Sequence, residues 1–342
     1  MKNNKILVLG YFGYRTNQLD GQTIKTRDLY RLVNEKFENT HFFDTQDFRY
    51  SKLSVFKMFW KIICCRKLVY LPAHNNLKFI FPIIYVLSVI FRVEIYYFVV
   101  GGWLCEFIES LSIHRWMLKR IQGIYSETNL LKESLERKYR FKNVDVFTNF
   151  RFVEFNPQRC HNKGQLSLVF MALINKNKGL DWIFDLGNSL LKNGMECDVS
   201  IDFYGPIFGD DKLYFEQNIK KFPFMKYKGV LQPQNIYSVL EKYDVMLLPT
   251  HYYTEGLPGS VVDAYFSGRP VIFTEWKHAH EFVIDGQSGY IIPFKNGEDK
   301  LYEKVVFLLN NEEELSKLKD GAREKAVDFL PPYEKIQRIL NF

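Results

Sequence analysis

Short apolar runs alternate along this 342-residue chain with longer stretches whose apolar positions recur every three or four residues. The first kind of run fits a buried strand and the second an amphipathic helix, so the alternation predicts βαβ units and parallel sheets. In the first half the predicted strands are KILVLG (5–10), THFFDT (40–45), KLVYLP (67–72), VEIYYFVVG (93–101), GIYSE (123–127) and VDVFTN (144–149). QTIKTRDLYRLVNEKF (22–37) and LLKESLERKYR (130–140) are predicted helices between them.

A polar stretch, NFRFVEFNPQRCHNKGQ (149–165), broken by Pro157 and Gly164, interrupts the pattern and reads as a linker. The alternation then restarts with LSLVFMA (166–172), CDVSIDFYG (197–205), MKYKGV (225–230), DVMLLPT (244–250), RPVIFT (269–274) and GYIIPF (289–294). Helices are expected at 179–194, at 233–243, where Pro233 suits a first turn, and in three closing segments, the last being PPYEKIQRILNF (331–342). The chain is also long for one core. The expectation is therefore an α/β protein of two facing, Rossmann-like, doubly wound domains, 1–155 and 156–328, with a deep cleft between them. A last helix in 329–342 is expected to pack back on the N-terminal domain.

Charge adds an asymmetry. Residues 1–155 hold 24 Lys and Arg against 14 Asp and Glu, and the remaining 187 hold 22 against 25. An excess of cations confined to one half suits a phosphate-bearing partner or an anionic membrane surface; the other reading is a solvated basic face. No helix-turn-helix, zinc knuckle or aromatic RNA-binding signature accompanies it, so no nucleic-acid partner is expected. The five cysteines form no C-x-x-C pair, which fits reduced, cytoplasmic thiols rather than zinc or disulfides. The start, MKNNKILVLGYFGY, has an apolar run too short for a signal peptide and reads as a strand. FIFPIIYVLSVIF (79–91) falls short of the ~20 residues a membrane span needs and reads as a buried helix. KLSVFKMFWKIICCRKLVY (52–70) is either an amphipathic docking segment, placing the protein peripherally on the inner face of the cytoplasmic membrane, or a helix packed on the sheet.

The first loop, GYFGYRTNQLDGQT, contains neither the G-x-G-x-x-G dinucleotide fingerprint nor a phosphate loop. Gly21 precedes a helix that starts with Gln22; it either opens that terminus to a ligand or serves a turn. The stretch TEGLPGSVVDAYFSGRPVIFTEW (254–276) is more telling. Glu255 ends a strand-to-helix loop, Gly259 and Ser260 offer backbone N–H groups at the positive helix end, and Asp263 follows a turn inside. Amides for a phosphate and two carboxylates for hydroxyls suit a nucleotide-sugar.

This stretch, with NKNKGLDWI and DFYGPI upstream and HEFVIDGQSGYIIP downstream, resembles the retaining glycosyltransferases of family 4, which have the GT-B fold. The resemblance implies that Glu255 contacts the donor sugar near its reacting centre and that Lys178 neutralises the donor pyrophosphate. It places Gly256, Pro258, Gly259, Ser260, Val261 and Asp263 around the donor, Asp263 at the ribose, with Gly205, Val230 and Leu231 toward the base. Gly21, Gln22 and Arg15 would form the edge contributed by the N-terminal domain, and Glu281 either resembles a further acid of the family or is a helix cap or surface residue. Three departures stand out: Asp263 where the family usually has Glu, Leu173 where it usually has Arg, and no histidine in YYFVVGGWL. Arg15 or Arg151 is the candidate substitute for the missing arginine.

No metal site and no cofactor are expected: the D-x-D arrangement is absent, and GDDK (209–212) lacks a strand leading into it. The implied activity is metal-independent hexosyl transfer from a nucleotide-sugar to a lipid-linked or growing polysaccharide acceptor, in bacterial surface polysaccharide or capsule synthesis. Two alternatives stay open: a catalytically weak nucleotide-sugar-binding protein, encouraged by Leu173, and a sugar-nucleotide epimerase.

Overall fold

A computed structural model of the chain describes residues 5–153, 164–207 and 209–341. Most of the expected linker, 149–165, lies outside the described residues. Two compact units emerge, one of residues 1–152 with 331–342 and one of residues 153–330.

The N-terminal unit is built on β1 (Ile6–Gly10), β2 (Thr40–Asp44), β3 (Lys67–Leu71), β4 (Glu94–Phe98), β5 (Gly123–Ser126) and β6 (Val144–Val146). These form one parallel sheet in the order β2-β1-β3-β4-β5-β6. Its helices are α1 (Gly21–Lys36), α2 (Ser54–Cys64), α3 (His74–Phe79), α4 (Phe81–Phe91), α5 (Leu104–Phe107), α6 (Ser112–Leu118) and α7 (Asn129–Tyr139). Side-chain caps set where two of them begin. Asp20 accepts from the Thr23 amide at 2.9 Å, and Thr128 from the Leu131 amide at 3.1 Å.

Sequence patterning misjudged one of these segments. The run 79–91, expected to be buried, buries only Phe81, Ile84, Tyr85 and Ser88 of α4, while Ile83, Val86, Val89 and Ile90 face outward. An all-apolar run reads as buried all round, but α4 packs against the fold on one side only. The run 52–70, read as either a docking segment or a helix packed on the sheet, is a helix followed by a strand. The helix is α2, with Met58 and Ile62 inside and Leu53, Phe56 and Trp60 outside, and the strand is the fully buried β3.

The C-terminal unit repeats the scheme with β7 (Leu166–Met171), β8 (Val199–Tyr204), β9 (Met225–Tyr227), β10 (Val245–Leu248), β11 (Val271–Thr274) and β12 (Gly289–Ile292), ordered β12-β11-β10-β7-β8-β9. Helices α8 (Leu180–Lys192), α9 (Lys212–Ile219), α10 (Ile236–Leu240), α11 (Gly259–Phe266), α12 (Glu298–Leu309) and α13 (Glu312–Ala326) surround it. The chain ends with α14 (Tyr333–Leu340), whose Ile336 and Leu340 are buried with Ile6, Val8, Leu29 and Val33 of the N-terminal unit.

Both sheets have a point where consecutive strands are laid down in opposite directions, between β1 and β3 in one and between β7 and β10 in the other. Ligands of such sheets bind beside such a point, at the C-terminal strand ends.

Candidate active site

The C-terminal ends of the paired strands β7 and β10 lead into residues 172–179 and 249–258. Asn175 caps a single 3-10 turn, Lys176–Lys178, by accepting from the Lys178 amide at 3.0 Å. Gly179 follows with φ 82°, and a Cβ there would stand 1.9 Å from the Pro249 carbonyl oxygen. Only glycine lets the two loops touch at that point. Hydrogen bonds then join them. The His251 amide donates to the Asn177 carbonyl at 2.8 Å, the Thr250 hydroxyl to the same carbonyl at 3.2 Å, and His251 Nε2 meets Asp181 Oδ1 at 2.8 Å. Burial pushes the Asp181 carboxyl up, but the His251 bond and charge outweigh it and leave the group below its usual range.

This joinery brings Lys178 Nζ and Glu255 Oε2 into an ion pair, with the Thr250 hydroxyl 3.4 Å from the same oxygen. The pair is not sealed: the side chains keep 16% and 18% of their surface exposed. Beside it, Pro258 starts α11 without a side-chain cap. The Val261 amide donates to the Pro258 carbonyl at 3.1 Å, so Val261, expected as a phosphate donor, is occupied by its own helix turn. Gly259 and Ser260 keep amides without an acceptor among the described residues, at the end of the helix that carries partial positive charge. Gly256 is buried in the loop ahead of them.

The remaining expected residues lie on the flanks. Asp263 is buried one turn into α11 and accepts from the Tyr237 hydroxyl at 3.3 Å. Gly205 packs so tightly on the end of β7 that a Cβ would meet the Ala172 carbonyl at 1.8 Å; its own amide donates to Gly229 at 2.9 Å. Past Gly229, Val230 is about half exposed and Leu231 partly packed on the core. Glu281 ends a 3-10 turn with Oε1 3.8 Å from Nδ1 of the fully buried His278.

Leu173 is 37% exposed in the first loop. The two arginines expected to replace the missing cation already have acid partners, Arg15 with Asp47 at 2.8 Å and Arg151 with Asp28 at 3.2 Å. At the start of α1, Gly21 has an ordinary φ and open space around its missing Cβ, so no turn demands glycine there. The side-chain Nε2 of Gln22 is buried without a hydrogen-bond partner among the described residues. Sequence reading missed Asn175, Gly179, Thr250 and the His251–Asp181 contact, all of which position the ion pair. The N-x-x-K-G run at 175–179 carried the usable signal, an Asx cap followed by a left-handed glycine. Among the described residues no three His, Cys, Asp or Glu side chains gather as a metal site.

Residues 165–311 match the family model described as glycosyl transferases group 1. An uncharacterized glycosyltransferase of Methanocaldococcus jannaschii is 26% identical over 217 residues, which are 60% of this chain and 57% of that protein. The GtfA subunit of the UDP-N-acetylglucosamine–peptide N-acetylglucosaminyltransferase of Streptococcus pneumoniae is 28% identical over 173 residues, 48% of this chain and 33% of that protein. The matched segments thus span little more than half, and a third, of these curated relatives. In structure the chain is similar to HepE of Anabaena, solved in complex with UDP and glucose, at TM-score 0.76 and 13% identity, over 99% of this chain and 100% of that one. The fold is GT-B, shared with that solved structure, and the family match falls within the C-terminal unit.

Proposed function

We propose that the chain is a retaining, metal-independent glycosyltransferase that moves a hexose from a nucleotide-sugar to a lipid-linked or growing polysaccharide acceptor, in the cytoplasm at the membrane face where bacterial surface polysaccharide or capsule is assembled. The Lys178–Glu255 pair beside the open amides of Gly259 and Ser260, at the switch point of the C-terminal sheet, carries this reading. The amides and Lys178 receive the donor diphosphate. Negative charge grows on the leaving phosphate as its bond to the anomeric carbon breaks, and a preplaced ammonium is worth most at that moment. Glu255 then exchanges part of its lysine contact for sugar hydroxyls near the anomeric carbon. That carbon gains the acceptor oxygen, whose proton passes to the departing phosphate oxygen as its bond to the carbon breaks. Asp263 takes the ribose, and Gly205, Val230 and Leu231 border the base.

A nucleotide-sugar panel tests this through thermal protection, turnover and the anomeric configuration of the product. Protection by a nucleotide-sugar, turnover with retention, and loss of turnover in Glu255→Ala are expected. Transfer unchanged in Glu255→Ala would refute the assignment. One observation favours a second reading, a nucleotide-sugar-binding protein with weak turnover: Leu173 leaves the leaving group one cation short, and Arg15 and Arg151 are engaged by Asp47 and Asp28. Protection without turnover across the panel would select it.

A further inference from the structure

Residues 48–93 contain no aspartate or glutamate and eight lysines and arginines. Residues 110–126, around α6, likewise contain no acid and carry Arg115, Lys119 and Arg120. The helices cut from these segments are neighbours: α2 and α4 pack together, and Tyr85 of α4 meets Trp116 of α6 at 5.6 Å between ring centroids. Each turns a second apolar face away from the core. Phe56 and Trp60 on α2 are 70% and 68% exposed, Val86 and Ile90 on α4 are 54% and 65%, and Ile113 and Trp116 on α6 are 68% and 51%. The spacing of four residues in the first two pairs sets each on one line along its helix.

A helix on an ordinary wet surface is polar on its outer side, and contiguous exposed apolar faces mark a surface that is covered in use. The rim decides what covers it. Lys52 and Lys57 lie just before and within α2, Lys78 and Arg92 flank α4, and Arg120 follows α6, with no acid in either segment; the Arg120 guanidinium lies 4.2 Å over the Trp116 ring. Exposed apolar side chains, two of them tryptophans, on segments whose only charges are cations match a bilayer surface with anionic headgroups. At 11 residues, α4 is about 16 Å long against a hydrocarbon core of about 30 Å, so it lies on such a surface and does not cross it. Among the described residues no helix is long and apolar enough to cross a membrane.

We propose that the outer faces of α2, α4 and α6 form one docking surface that seats the N-terminal unit on an anionic lipid bilayer, with Phe56, Trp60, Val86 and Ile90 among the acyl chains and the lysines and arginines at the headgroups. The proposal rests on exposures within that unit and not on the sugar-transfer reading, to which it adds a route to a lipid-borne acceptor.

The full chain should co-sediment with vesicles of phosphatidylcholine mixed with phosphatidylglycerol, far less with phosphatidylcholine alone, and less as salt is raised. On binding, tryptophan emission should shift to the blue and be quenched by brominated acyl chains, a readout that needs no variant. Trp60→Glu and Ile90→Glu, both at exposed positions, should each weaken binding at least about tenfold, as expected for a charge forced against the acyl region. Leu213→Glu, an exposed leucine of the other unit, should leave binding unchanged. Circular dichroism checks that each variant is folded, and nucleotide-sugar protection should be the same in all three. Absence of anionic-vesicle binding by the unaltered chain overturns the proposal, as does binding that Trp60→Glu and Ile90→Glu leave intact. A dimer that Ile90→Glu dissociates also overturns it, by showing that a second copy covers the face. Loss of nucleotide-sugar protection in Glu255→Ala belongs to the transfer reading and leaves vesicle binding as it was.

Discussion

Lys25 and Glu127 in the N-terminal unit form an ion pair at 2.5 Å with side chains only 5% and 3% exposed, and Lys25 Nζ also donates to the Val99 carbonyl at 2.7 Å. Lys178 and Glu255 in the C-terminal unit make the same kind of pair at the same end of their own sheet, yet several-fold more exposed. Desolvation holds the Lys25 ammonium below the ordinary lysine value, with Glu127 pulling it back up. The sealed pair, completed by the Val99 carbonyl, is shut off from solvent and ties α1 to the ends of β4 and β5. A rim pair can trade its carboxylate for a phosphate. Residue type is identical in the two cases, so access to a ligand separates a structural pair from a working one.

The largest expected effect is on the sealed pair. Glu127→Ala leaves a buried ammonium uncompensated and should cost about 3–5 kcal/mol of stability, read from a urea midpoint. The double change Lys25→Met with Glu127→Leu should recover most of that loss, because an apolar pair of similar volume carries no desolvation cost. An unshifted midpoint in Glu127→Ala would break the comparison at once.

Lys178→Ala should do the reverse. Turnover should fall about 10²–10³-fold, or about 2.7–4 kcal/mol in the barrier. The urea midpoint should move by less than about 1 kcal/mol, since a partly exposed pair contributes little to folding. Equal losses of stability and turnover would assign the pair to the scaffold.

Gly179→Ala tests the joint beneath the rim pair. Its φ of 82° and the Pro249 oxygen 1.9 Å from the added Cβ force one loop to move, at about 1–3 kcal/mol. Both stability and turnover should drop, whereas Gly21→Ala, with open space around it, should stay within about 0.5 kcal/mol of the parent.

How far the sequence reveals these features follows from the range of the interactions involved. The twelve strands among the described residues sit inside the predicted runs, and most of them, such as β1, β3, β7 and β10, are buried on both faces and so need a continuous apolar stretch. Glu255, Lys178 and the amides of α11 could be read as a local pattern, since a strand, a glycine-marked loop and a helix terminus are contiguous in the chain. Asn177 against His251, and Pro249 against Gly179, join loops some seventy residues apart, and no local pattern carries such contacts. The outward face of α4 was illegible for another reason. Its composition is that of a core helix, and only the arrangement of its neighbours decides which side stays bare.

The smallest expected effect ties the sealed pair to pH. The Tyr97 hydroxyl is buried without a hydrogen-bond partner among the described residues, and burial, with a lesser push from the Glu127 charge, raises it above the ordinary tyrosine value. Tyr265, fully buried in the C-terminal unit, is raised by burial as well, and Tyr125 is pushed up to about 12. A raised folded-state value means that the native chain keeps protons the unfolded chain releases. Stability is therefore full below pH ~10 and falls above it, by about 1.4 kcal/mol per pH unit for each fully protected hydroxyl. Lys25 works in the opposite direction: its value is lowered on folding, so its contribution rises with pH until the unfolded lysine has also lost its proton. With more tyrosines raised than buried lysines lowered, melting followed from pH 9 to 12 should show a net decline. Tyr97→Phe removes a hydroxyl that has no partner and should stabilise the chain by about 1 kcal/mol at neutral pH. It should also flatten the alkaline decline, and do so less in a Glu127→Gln background, where the charge that helps hold the proton on Tyr97 is gone. An alkaline decline unchanged by Tyr97→Phe would mean that this hydroxyl is open to solvent and that the region around the Lys25–Glu127 pair is no drier than the rim at Lys178 and Glu255.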